Sequence, residues 1–138
     1  MPTRKDLQEL ARIRLREARA LLSAGMWDGA YYLAGYAAEC ALKACIAKMV
    51  RRYDFPDRTL ANESWKHDLE ALVKTAGLFP QLRAAIAADP LFERYWGVAK
   101  DWKETSRYER RTHREAEDLI RAISDPRHGV LRWIRQYW

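Results

Sequence analysis

The stretch GAYYLAGYAAECALKACIAKM, residues 29–49, constrains the fold more than any other part of the chain. Ala30, Ala34, Ala37, Ala41 and Cys45 recur at steps of three and four, with Leu33, Leu42, Ile46 and Met49 beside them. That spacing is helical and places the small residues on one face. Side chains this small let neighbouring backbones approach closely, so the segment is predicted to be a helix packed against others. Gly35 costs up to about 1 kcal/mol relative to alanine inside a helix, and close packing against it is the expected compensation. Glu39 and Lys43 are placed to form an i,i+4 pair. Cys40 and Cys45 lie about 140° apart around such a helix. They do not face each other and read as small buried hydrophobes.

The flanking sequence carries the same period. Leu7, Ala11, Leu15, Ala18 and Leu22, widened by Leu10 and Leu21, predict a helix from about Arg4 to Ala24. Gly25 stops it, and Asp28 can begin the next. RRYDFPDRTLANESW, with Pro56, reads as a loop, and KHDLEALVKTAG as a short helix closed by Gly77. Pro80 and Pro90 suit the first turns of further short helices. Phe92, Trp96, Ala99 and Trp102 (or Tyr95) can share one face. THRE, from Thr112, is a capping box that opens the last long helix, whose stripe is Ala116, Leu119, Ile120 and Ile123. Pro126 should stop it, and HGVLRWIRQYW resumes helically. No alternating strand pattern is present. The expected fold is all-α: one domain over residues 1–138, an antiparallel up-and-down bundle of four to five main helices with short extra ones.

The net charge of +6 allows an acidic partner such as nucleic acid, a nucleotide or an acidic protein, although the basic residues are spread along the chain. Six Trp and seven Tyr suit a rigid core or an interface. No run approaches the roughly 18 apolar residues of a membrane-spanning helix. The opening MPTRKDLQEL has no apolar signal core, so the expected location is cytoplasmic, with no membrane partner. Three dispersed His and two Cys offer no ligand spacing, and no phosphate-binding glycine loop occurs. Neither a metal nor a cofactor is expected.

The stretch RYERRTH, Arg107 to His113, is the candidate site. Cleaving RNA without a metal needs an acid or base that titrates near neutrality and a fixed cation for the charge on phosphorus. Histidine supplies the first and arginine the second. The capping box puts His113 at the first position of the last long helix, whose N-terminus favours an anion. Arg107 falls in the preceding turn, and Arg110, Arg111 and Arg114 can guide a nucleic-acid strand. The alternative is structural: Arg107 pairs with Glu104 or Asp101, and His113 is an exposed first-turn residue. His67 and His128 read as capping, packed or turn residues. Tyr31, Tyr32 and Tyr36 read as core or as a seam between copies.

The first helical pair resembles HEPN domains, the higher-eukaryote and prokaryote nucleotide-binding domains. Ala30, Leu33, Ala34, Tyr36, Ala37, Glu39, Ala41, Leu42, Lys43 and Ala44 follow that family's A-x-x-L-A-x-Y-A-x-E-x-A-L-K-A pattern. HDLEAL from His67, SRY at Ser106–Tyr108, EAEDLI and GVLRWI fit further along the chain. The resemblance implies a helical bundle, usually a homodimer, linked to RNA or nucleotide chemistry. It implies either a metal-independent endoribonuclease of toxin–antitoxin type or a non-catalytic module that binds nucleotide or partners a minimal nucleotidyltransferase. The ribonuclease members carry an Arg, four to six residues, then a His. Arg107 and His113 match with five between, but Tyr108 stands where active members commonly have a polar residue.

Overall fold

A computed structural model describes residues 2–50, 62 and 65–138. The loop expected over 51–65 therefore lies almost wholly outside the described residues. The helices whose bounds are described are α1 (Arg4–Ser23), α2 (Trp27–Lys48), α3 (Leu69–Thr75), α4 (Phe79–Ala88), α5 (Pro90–Lys100), α6 (His113–Ser124) and α7 (Val130–Arg135). A short 3-10 turn, Glu104–Tyr108, joins α5 to α6. No strand occurs among the described residues.

Local chemistry sets most of the ends. Thr3 caps α1 through a capping box with Asp6. Gly25, at φ +77°, ends that helix: its N–H donates to the Leu22 carbonyl, and the Met26 N–H donates to that of Leu21. This is the paired closure that favours glycine in the left-handed region. Gly77, at φ +72°, repeats it after α3, with bonds to Lys74 and Val73. Asp68 caps α3 and Asp89 caps α5. Pro80 and Pro90 stand in first turns, where the missing N–H is harmless.

Helix α2 is the hub. It packs against α1, α3, α6, α7 and the 3-10 turn. Burial runs around most of its circumference, from Ala30 to Ile46, which is why its sequence is small and apolar rather than two-faced. Ala11, Leu15 and Ala18 of α1 and Ala116, Leu119, Ile120 and Ile123 of α6 join it in one core cluster. Phe92, Trp96, Ala99 and Trp102 all enter that cluster too.

One detail differs from the sequence reading, and two others are specified further by the structure. Met49 is half exposed because α2 ends at Lys48, one residue before the face would continue. The Glu39–Lys43 pair forms at 3.2 Å, but Glu39 is only 2 % exposed, so it is a buried carboxylate rather than a surface one. Tyr32 and Tyr36 are only partly buried, whereas Tyr31 is buried. Cys40 and Cys45 are buried and unpaired, and burial pushes both thiols up to about 11. Both thiols are therefore expected to resist alkylation at pH 8 in the folded chain and to react within minutes in denaturant. Mass spectrometry of iodoacetamide-treated samples would check this, and rapid native labelling would contradict the packing described.

Candidate functional site

The RYERRTH segment lies across the N-terminal turns of α2. Asp28 accepts the backbone N–H of Arg111, and Tyr31 lies under the Arg111 guanidinium, 4.2 Å from carbon to ring centroid. The Trp27 ring meets the His113 ring edge-on at 5.7 Å. Trp27 and Asp28 each lie about one turn before Tyr31 and flank it on the helix surface. They form the ledge on which the segment rests.

His113 is the first residue of α6. Thr112 caps that helix: its hydroxyl accepts from the Glu115 N–H at 3.1 Å, and Glu115 accepts from the Thr112 N–H at 3.0 Å. The Thr112 amide and hydroxyl hold the Glu115 carboxyl below the usual carboxylate range, helped by Arg111. The His113 side chain is 53 % exposed, with Nε2 3.7 Å from Glu117 Oε2. An imidazole here has an indole in T-shaped contact, a carboxylate one turn along, and open solvent before it.

Arg107 leaves the 3-10 turn beside the ledge. Ser106 is turned inward and buried, which sends Arg107 and Tyr108 outward. The Arg107 guanidinium stands 4.9 Å from the Tyr108 ring centroid and 3.7 Å from Glu104 Oε1. The Tyr108 phenol first, then Glu104 and the Tyr32 hydroxyl, hold its pKa above the ordinary arginine value. Its side chain remains 47 % exposed. Arg107 is thus docked near Tyr32 and His113 near Trp27. Those two anchors are five residues apart on α2, about 7.5 Å along its axis and about 140° around it. Of the two acids anticipated in the structural alternative, Glu104 rather than Asp101 is the partner of Arg107.

The three arginines between and after them divide. Arg110 and Arg114 point outward, Arg114 with a side chain 91 % exposed and 4.0 Å from Asp118. Arg111 turns in. It pairs with Glu109 and, at 3.2 Å, with Glu115, and its Nε is buried against Tyr31 without a hydrogen-bond partner. Its charge is engaged by its own chain. Arg111→Ala is expected to destabilise the fold by about 1–2 kcal/mol through the lost stacking and pairing. Arg110→Ala is expected to change stability by less than about 0.5 kcal/mol. Urea unfolding of the two variants would check the contrast.

The other histidines are placed elsewhere. His128 Nδ1 lies 2.6 Å from Asp89, and its backbone N–H donates to Asp125, so it closes the Pro126 turn onto the start of α5. His67 Nδ1 lies 3.0 Å from Glu39 Oε1 and Nε2 3.2 Å from Glu104 Oε2. Among the described residues no group of three or more His, Cys, Asp or Glu side chains could hold a metal ion. No helix among them is long and apolar enough to cross a membrane. Trp27, Tyr32 and Glu117 were not expected at the site. Only Glu117 had a local signal, its i,i+4 offset from His113.

These features define an all-α bundle that presents a half-exposed arginine on a 3-10 turn and a half-exposed histidine at the capped start of its last long helix. A family model for the HEPN domain matches residues 5–136, and the chain belongs to that family, whose roles concern nucleotides and RNA. No curated protein and no solved structure matches the chain.

Proposed function

We propose that the chain is a metal-independent endoribonuclease of toxin–antitoxin type, acting as a homodimer, with His113 as acid/base and Arg107 as phosphate clamp. The observation that carries this reading is that Arg107 and His113 are both half-exposed on one segment that packs against the first turns of α2, with Arg110 and Arg114 outward between and after them. His113 takes the proton of a ribose 2′-OH. The 2′ oxygen attacks the adjacent phosphorus as the bond to the 5′ oxygen breaks, and that oxygen takes up a proton. The products are a 2′,3′-cyclic phosphate and a 5′-hydroxyl. Arg107 neutralises the extra charge on the phosphorane, which a planar, permanently charged fork does well. Arg110 and Arg114 hold the strand by its phosphates. Arg111 is read as a clamp of the segment rather than a strand contact, because its charge is engaged internally.

The second reading is a non-catalytic module that binds nucleotide or partners a minimal nucleotidyltransferase. One observation favours it: Tyr108 is 76 % exposed beside Arg107, a large aromatic ring presented to solvent. The test incubates purified protein with single-stranded RNA in EDTA, alongside His113→Ala. Cleavage lost in the variant supports the first reading. No cleavage, with a stable complex on co-purification with such a nucleotidyltransferase, supports the second.

A further inference from the structure

Glu39 sits in the middle of α2, 2 % exposed, and a carboxylate so placed requires partners for both oxygens. Lys43 Nζ supplies one at 3.2 Å and His67 Nδ1 the other at 3.0 Å. The imidazole does not stop there. Its Nε2 reaches Glu104 Oε2 at 3.2 Å, and the other oxygen of Glu104 faces Arg107 Nη1 at 3.7 Å. A continuous run of side chains therefore leads from the buried hub of the fold to the exposed guanidinium. A histidine suits the middle position because its two ring nitrogens lie on different edges, and in the imidazolium form both donate, one to each carboxylate. A second ion pair runs beside this bridge. Asp68, next to His67, caps α3, and its Oδ2 takes Lys103 Nζ at 3.2 Å, tying the start of α3 to the start of the 3-10 turn.

We propose that His67 is a positioning residue for Arg107: it couples the buried Glu39 to Glu104 and so fixes the guanidinium over the site. Without the bridge Glu104 is a partly exposed carboxylate on a short turn, and Arg107 keeps only the Tyr108 ring and the Tyr32 hydroxyl to hold it. Fixing a charged group to within a fraction of an ångström is what converts a nearby cation into one aimed at the developing charge. The consequence for cleavage rests on the ribonuclease reading, whereas the anchorage of Arg107 does not.

The test reads both. The Nε–Hε proton–nitrogen signal of Arg107, identified by its loss in Arg107→Ala, is recorded in the full chain, in His67→Ala and in Glu104→Gln. Cleavage kinetics are measured on the same samples. The expected result is that the Arg107 signal moves toward the position of a freely rotating arginine in both variants. In parallel, kcat falls about ten- to a hundred-fold with KM little changed, and His67→Ala causes no further loss once Arg107 is already alanine. Glu104→Gln leaves the buried Glu39–His67 contact in place, so it answers the question if His67→Ala does not fold. An unmoved Arg107 signal overturns the proposal, as does an equal loss of activity from His67→Ala with and without Arg107. If the unmodified chain does not cleave RNA but the signal moves, the positioning role stands and the ribonuclease reading falls.

Discussion

Gly35→Ala is expected to lower the melting temperature by roughly 6–10 °C or to prevent folding. A Cβ on Gly35 would overlap three ring atoms of Trp102. That indole is fully buried and packed against Tyr32 at 5.9 Å between ring centroids, so it has nowhere to retreat. Forcing one more carbon into such a site costs roughly 3 kcal/mol. The gain from replacing a helical glycine by alanine is about 1 kcal/mol. Packing therefore wins by about 2 kcal/mol or more, which the shift in melting temperature expresses for a chain of this size. Gly97 is the control. It lies inside α5, where an added methyl group would meet nothing within 4 Å, so Gly97→Ala is expected to leave the melting temperature unchanged or raise it. Adding Trp102→Phe to Gly35→Ala should recover part of the loss by shrinking the ring. Thermal unfolding followed by circular dichroism reads all three, and a Gly35→Ala protein as stable as the parent would contradict the contact.

The largest effect on activity is expected from His113→Ala, a loss of about 10²–10⁴-fold in kcat, the usual range for an acid/base group. Arg107→Ala should follow at about 10²–10³-fold, as for removal of one fixed donor to developing charge. Arg107→Lys should recover little, because an ammonium cannot reproduce the planar fork. Arg110→Ala and Arg114→Ala should instead raise KM and flatten its salt dependence, since their outward guanidinium groups are placed for the strand's phosphates rather than for the reacting one. Steady-state kinetics at two salt concentrations separates these patterns. Losses shared equally by all four positions would point to a general basic surface instead of a site.

Much of the helical framework was legible because it is local. The Thr112–Glu115 capping box, the stops at Gly25 and Gly77 and the first-turn prolines depend on residues within one or two turns. The stripes of α1 and α6 follow from a simple helical period. Contacts between distant residues left no such trace. That Gly35 must be glycine was attributable to close packing, but nothing local identified Trp102, 67 positions away, as the neighbour. His67 read as a capping or packed histidine, because neither the hub carboxylate Glu39 nor Glu104 lies near it in the sequence. The arginines of RYERRTH looked alike for the same reason. Arg111 differs from Arg110 and Arg114 only in that Tyr31 and Asp28 of α2 lie beneath it. Likewise His113 was placeable at a helix start, but its indole neighbour Trp27 comes from 86 residues earlier.

The most direct measurement is an end-group analysis of single-stranded RNA incubated in EDTA with the purified chain and with His113→Ala prepared identically. The expected result is fragments carrying 2′,3′-cyclic phosphate and 5′-hydroxyl ends from the unmodified protein and almost none from the variant. Intact RNA, fragments with 3′-hydroxyl ends, or equal cleavage by both proteins would contradict the assignment of Arg107 and His113 as a metal-independent ribonuclease site.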